Sequence, residues 1–175
     1  SILNQTFKDW YLIMCDDAST DGTYIIAKSY VDKYPNKMHL IQNEKNMKLS
    51  YSLNRCLEYV KTELVARMDG DDISKPERLQ KEYDFLCEHK DADLVGCAME
   101  RFDENGVIDV VTPSYCPDYF SLRYEPQFVH ASVLTYKRVY DRLGGYTVSK
   151  YAVYTEDYDL WFRFFSYGYK GYSIQ

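Results

Sequence analysis

The sequence predicts one α/β domain over residues 1–175, a doubly wound, mostly parallel but mixed sheet flanked by helices. Three observations carry that reading. Short apolar runs alternate with amphipathic stretches through the first hundred residues. Clusters of Asp, Ser, Gly and Pro punctuate the alternation where turns belong. Hydrophobic residues make up 46% and charged residues 27%, enough for one buried core in a soluble globular chain.

The elements follow in order. Trp10 to Cys15 is a buried strand, and Asp16 to Gly22 a turn. A helix follows with Ile26, Tyr30 and Tyr34 on one face, and Pro35 lies just beyond it. Met38 to Gln42 is a second strand. Leu49 to Lys61 is a second helix that turns Leu53, Cys56, Leu57 and Val60 inward. Glu63 to Met68 is a third strand. Ser74-Lys75-Pro76-Glu77 has capping-box spacing and opens a helix to His89 that buries Leu79, Tyr83 and Leu86. Asp93 to Phe102 is a fourth strand, and Asn105-Gly106 turns it back into Val107 to Val111 as a hairpin. Pro113, Pro117 and Pro126 make 113–128 an irregular loop. Val129 to Tyr136 is strand-like, and Lys137 to Leu143 a short helix stopped by Gly144-Gly145. Thr155 caps a last helix, Glu156 to Tyr167, with Leu160, Phe164 and Tyr167 inward. Gly168 ends it before a strand at Tyr172 to Ile174.

Composition narrows the partners. A net charge of -6 excludes the basic surface that nucleic-acid binding needs. The 19 tyrosines are packing residues for the most part, with some suited to stacking on sugar rings. Cys15, Cys56, Cys87, Cys97 and Cys116 are odd in number and form no C-x-x-C pair, so reduced thiols in a cytoplasmic setting fit best. No apolar run reaches the roughly 18 residues that span a bilayer. Peripheral association with the cytoplasmic face of a membrane is compatible with the sequence.

Three acidic stations stand out. Asp16-Asp17 follows the first strand, Asp69-Gly70-Asp71-Asp72 the third, and Glu156-Asp157 opens the last helix. Ligands of doubly wound sheets collect beyond the carboxyl ends of the strands, so the first two stations face one crevice. A helix N-terminus keeps the third ionised. Carboxylates crowded into one turn repel one another unless a cation offsets them, and a hard divalent metal takes oxygen ligands. Asp-x-Asp recurs at Asp91 and Asp157 by composition, so position carries the signal. Arg67, two residues before Asp69, lies on the same side of the strand. It orients carboxylates, meets a donor or forms a structural ion pair. His130 is a metal or diphosphate contact or a hydrogen-bonded structural histidine. Trp161 and Phe164 suit the core better than an acceptor platform.

The series Asp16-Asp17-Ala18-Ser19-Thr20-Asp21-Gly22-Thr23, Asn46, Ala66-Arg67-Met68-Asp69-Gly70-Asp71-Asp72 and Thr155-Glu156-Asp157 with Asp159-Leu160-Trp161 resembles family 2 glycosyltransferases of the GT-A fold. The resemblance runs from Ser1 to Gln175. It implies an inverting transfer of a sugar from a nucleoside diphosphate donor of the UDP type, with Mg or Mn, to a saccharide or glycolipid acceptor in polysaccharide biosynthesis. It also implies roles. Asp17 meets the base, supported by Asp16, and Asn46 belongs to the donor side. Asp69 lies near the ribose or sugar, Asp71 holds the metal with Asp72, and Asp157 is the general base beside Glu156. The donor part covers about 1–100 and the acceptor part about 101–175. Three departures accompany it. The family's first strand and helix precede what is seen here, so the chain reads as an N-terminally truncated fragment. Lys48 stands where Asn-x-Gly is common, and Ala18 where Gly is common. Two other readings are a receiver-type module that accepts phosphate on Asp69 and an inactive nucleotide-binding remnant.

Overall fold

The structure, a computed structural model, describes residues 1–124 and 127–175. Strands and helices alternate first: β1 (Leu12–Asp16), α1 (Thr23–Lys33), β2 (Met38–Gln42), α2 (Leu49–Tyr59), β3 (Leu64–Ala66), α3 (Arg78–Glu88) and β4 (Leu94–Cys97). A hairpin of β5 (Met99–Asp103) and β6 (Gly106–Val111) follows. Then come β7 (Leu134–Tyr136), α4 (Lys137–Leu143), α5 (Glu156–Ser166) and β8 (Gly171–Ile174). The α/β class and the mixed sheet agree with the sequence reading.

The sheet is divided. β1 and β2 pair in parallel, Leu12 opposite Met38. The other sheet runs β3-β7-β4-β8; β7 is antiparallel to both neighbours, and β8 parallel to β4. Between the inner edges of β1 and β3 lies a cavity of about 890 Å³ lined by Leu12, Ile13, Leu57, Leu64 and Val65. Its walls are largely apolar. The inward face of α2 is correspondingly half-buried, with Leu53, Cys56, Leu57 and Val60 all partly exposed.

The core sits on the other sheet. Phe128, Trp161 and Phe164 pack edge-on, with Leu94, Val133, Tyr140 and Tyr146 around them. A smaller cluster joins Leu86, Val95, Leu134 and Tyr172. Gly171 admits Phe128 to the sheet: a Cβ there would stand 2.5 Å from the ring.

Several local expectations change. The predicted strand 93–102 breaks into β4 and β5, and β5 leaves the sheet to form its own hairpin, with a bulge between Arg101 and Phe102. The predicted strand 129–136 begins as a 3₁₀ turn, His130–Ser132. The apolar stripe of α1 finds no cover: Ile26 is 61% and Tyr30 45% exposed. On α3, Leu79 and Leu86 are buried as predicted, but Tyr83 is exposed and Glu82 is buried in its place. Tyr167 is exposed as well. Neither predicted cap forms. Glu77 takes the N-cap position of α3, and neither it nor Thr155 makes a side-chain cap bond. Gln5 does that work for α3 from far away: its Oε1 accepts from Leu79 N at 3.1 Å and its Nε2 donates to Ser74 Oγ at 3.0 Å. The loop 113–124 is irregular apart from a 3₁₀ turn, Ser121–Arg123; Pro126 lies outside the described residues. All five cysteines are unpaired. Among the described residues, no helix is long and apolar enough to cross a membrane.

Phe164→Ala removes a side chain with no exposure at the centre of the aromatic cluster. It is expected to lower stability by about 3–5 kcal/mol, whereas Ile26→Ser on the exposed face of α1 stays within about 0.5 kcal/mol; denaturant midpoints of the two variants check the contrast.

Candidate functional site

The first station forms because β1 ends on two carboxylates that face the loop after β2. Asp16 is buried, and its Oδ2 accepts from Gln42 Nε2 at 3.1 Å and Ser19 N at 3.3 Å. Asp17 reaches further. It accepts from Asn43 Nδ2 at 2.7 Å and from the backbone amides of Met47 and Lys48, each at 2.8 Å. Partial burial raises the Asp17 pKa, but those hydrogen bonds outweigh it and hold the carboxyl below its ordinary value. Asn46 closes the same loop, its Oδ1 accepting from Lys48 N at 3.2 Å.

Asn43 is a site residue the sequence reading missed. It is buried at the end of β2 and binds Asp17, Ser52 and Arg55. The available signal was its place directly after a parallel strand, where ligand-side residues gather.

The second station begins at the end of β3. Arg67 is buried and grips Asp69 with both terminal nitrogens, NH1 to Oδ2 at 2.7 Å and NH2 to Oδ1 at 2.5 Å. The ion pair expected as one alternative for Arg67 is formed, and it orients the Asp69 carboxylate. Asp71 and Asp72 project outward from the turn. The Asp72 pKa is raised, first by desolvation and then by the charges of Asp69 and Asp71, with Arg67 and Arg78 opposing.

His130 faces inward rather than toward this turn. Its Nε2 lies 2.9 Å from the Tyr146 hydroxyl, which is 3.3 Å from that of Tyr140. Burial, and then the Arg67 charge, lower the His130 pKa to about 3, so the ring stays neutral. That is the hydrogen-bonded structural histidine. Among the described residues, no three His, Cys, Asp or Glu side chains converge as a metal cluster. A metal shared with phosphates needs fewer, since such ions are often held by one or two carboxylates plus phosphate oxygens and water. The outward pair Asp71 and Asp72, adjacent carboxylates at the end of the turn, fits that role.

The third station opens α5. Asp157 accepts from Tyr158 N at 2.8 Å, while Glu156 lines a cavity of about 450 Å³. The opposite wall of that cavity is Met47, Lys48 and Leu49, the loop anchored by Asp17. The loop that Asp17 anchors and Glu156 of the third station therefore line one cavity, while Asp16, Asp17 and Asp157 are not among its lining. Tyr146 sits between Arg67 and Asp157 in the field of both. The Gly144-Gly145 stop is pinned as well. Asn54 brackets Tyr146, donating to its carbonyl and accepting from its amide at 2.8 Å each, and a Cβ on Gly145 would come within 2.5 Å of the Asn54 amide oxygen.

Among the described residues, three non-glycine residues have positive φ, and all border this site. They are Ala18 at 60°, Lys48 at 75° and Tyr154 at 67°. Lys48 and Tyr154 line the shared cavity with Glu156. Two of the three are the departures noted in the sequence. With ψ at 165°, Lys48 occupies a region almost reserved for glycine, at a cost of order 1–3 kcal/mol. Lys48→Gly is expected to raise stability by about 1 kcal/mol, whereas Ala18→Gly stays near neutral, because the strain relieved is about matched by the added freedom of the unfolded chain. Thermal unfolding of the two variants checks the difference.

Known proteins place this arrangement. The chain matches Glycosyl transferase family 2 over residues 1–153. It is 42% identical over 175 residues to EpsE of Bacillus subtilis, named as a glycosyltransferase, covering 100% of this chain and 63% of that relative. It is 32% identical over 167 residues to the O-antigen biosynthesis glycosyltransferase WbnJ of Escherichia coli, covering 93% of this chain and 63% of the relative. The chain thus spans a little under two thirds of these relatives. In structure it resembles the Pyrobaculum calidifontis mannosyltransferase PcManGT in complex with GDP-Man and Mn2+, with TM-score 0.75, 19% identity, and coverage of 99% of this chain and 50% of that one. It also resembles residues 1–349 of S. aureus TarS in complex with UDP, with TM-score 0.74, 20% identity, and coverage of 99% and 51%. The receiver-type reading gives way to these matches. With its motifs in order along nearly its whole length, the chain belongs to glycosyl transferase family 2.

Proposed function

We propose that this chain carries the donor site and catalytic base of a metal-dependent, inverting glycosyltransferase. It moves a sugar from a nucleoside diphosphate donor, of the UDP type, to a hydroxyl on a saccharide or lipid-linked acceptor. The observation that carries the reading is the shared cavity. The loop held by Asp17 forms one wall and Glu156, next to Asp157, belongs to the other, with strained backbone at Lys48 and Tyr154 between them. The names of the relatives support it: an O-antigen glycosyltransferase, and a β-1,3-galactosyltransferase of Escherichia coli named for UDP-Gal, 33% identical over 136 residues, covering 75% of this chain and 48% of that relative.

The division of labour proposed is the one the family resemblance implies. Asp17, with Asp16 behind it and Asn46 and Asn43 alongside, shapes the pocket for the base. Asp69, fixed by Arg67, faces the ribose and sugar. Asp71 and Asp72 hold Mg or Mn. When bound, the ion neutralises charge that develops on the departing diphosphate. The acceptor hydroxyl oxygen forms a bond to the anomeric carbon as the bond to the diphosphate oxygen breaks. Its proton passes to Asp157, with Glu156 beside it. A base so placed contributes about 10²–10⁴-fold. Residues 1–100 serve mainly the donor and 101–175 the acceptor.

Two outcomes follow. UDP binding measured by calorimetry should depend on Mn or Mg and weaken on Asp71→Asn; binding that is indifferent to chelation removes the metal role. Asp157→Asn should lower turnover by at least about 10²-fold while leaving the UDP dissociation constant within about twofold. Retained turnover would take Asp157 out of the base position.

A further inference from the structure

Beneath the acidic turn lies a buried ion pair to which the proposed chemistry gives no role. Arg78, at the first position of α3, has a side chain only 9% exposed, and its partner Glu82, one helical turn on, has none. Their closest approach is 3.3 Å, from Arg78 Nε to Glu82 Oε1. The terminal nitrogens of Arg78 are spent elsewhere. NH2 donates to the Arg67 carbonyl at 2.8 Å and NH1 to the Ala131 carbonyl at 3.1 Å. Arg67 opens the acidic turn 67–72 and grips Asp69. Ala131 follows His130, whose ring supports Tyr146 beside Asp157. One guanidinium therefore ties together the backbones of two segments that carry separate parts of the site.

Energetics favour a geometric role. A buried ion pair recovers little more than its desolvation, and an apolar pair of the same volume is often as stable. Two carbonyls 64 residues apart, gripped by a rigid planar group, are a different matter, since a fork-shaped donor fixes both distance and orientation. Burial pushes the Glu82 carboxyl up to about 8, and Arg78 offsets only part of that rise.

We infer that Arg78, seated on Glu82, is a positioning residue that sets the acidic turn 67–72 against the His130–Tyr146 segment, and that metal-dependent donor binding at the turn depends on it. The inference rests on the reading of that turn as the metal and diphosphate site. The test uses the intact chain with Arg78→Met, Arg78→Lys and Glu82→Gln, and two measurements. One is amide hydrogen exchange of residues 67–72 without ligand; the other is calorimetric titration of UDP with manganese chloride. Arg78→Met should still unfold cooperatively, yet exchange faster across the turn and bind UDP with manganese at least about tenfold more weakly, the scale of a lost charged hydrogen bond. Arg78→Lys should recover part of both, since an ammonium reaches one carbonyl at a time. A folded Arg78→Met with unchanged exchange and affinity overturns the inference. Should that variant fail to fold, Arg78→Lys and Glu82→Gln decide by the same two measurements. If the unaltered chain takes up no UDP with manganese, the metal reading falls, and exchange alone decides whether Arg78 holds the turn.

Discussion

Two guanidinium groups buried at the carboxyl end of β3 govern this structure. Carboxylates at positions 69, 71 and 72 crowd one turn, and desolvation first and then the Asp69 and Asp71 charges raise the Asp72 pKa. Arg67 offsets it from inside by a bidentate bond to Asp69, and Arg78 by its charge and its grip on the Arg67 carbonyl. Burial, with the Arg67 charge adding to it, keeps the His130 ring neutral while it hydrogen-bonds Tyr146. Charge balance at one strand end thus reaches the tyrosine layer under the proposed base.

The same charges explain how a divided sheet can present a single site. Among the described residues, β1 and β2 share no strand partner with the larger sheet. Leu53 and Leu57 of α2 pack against its core, and polar bonds join the halves at the ligand end. Asp17 ties β1 to the loop before α2, and Asn54 on α2 ties that helix to Gly145 and Tyr146 across 92 residues of sequence. The apolar cavity between β1 and β3 lies below these ties. A site assembled from such bonds is sensitive to single polar substitutions, because each removed partner leaves a half-buried donor or acceptor unpaired.

Much of this was legible in the residues, for reasons that also mark the limit. Strand-helix alternation placed β1 to β3 to within a residue or two, since buried strands and amphipathic helices write their period into the sequence. The acidic stations were legible because parallel topology puts their strand ends on one side. What failed was nonlocal. The spacing at Ser74 to Glu77 looked like a self-contained cap, yet Gln5 supplies the bond to Leu79, and no local window contains both. Glu82 reads as a solvated helix position, and only the guanidinium from the preceding turn makes its burial tolerable. Ile26 and Tyr30 read as an inward stripe because periodicity reports which residues could be buried together, not whether anything lies against them.

The backbone strain at Lys48 follows from the same logic. Met47 and Lys48 both aim their amides at one carboxylate, that of Asp17. Consecutive amides in an ordinary extended or helical stretch diverge or run parallel to the axis. They converge on a single anion when the residues alternate in handedness, as in anion-binding nests. Lys48 takes positive φ here, with ψ at 165°, while its amide bonds one oxygen of Asp17 and that of Met47 the other. That conformation accompanies the anchor. It explains why glycine would be comfortable at this position, and why replacing Lys48 should change stability without moving the loop, as long as Asp17 keeps its charge. The lowered Asp17 pKa carries the same linkage in reverse: the hold is complete above the ordinary aspartate pKa of 3.8 and is lost as acid protonates the folded carboxylate below it.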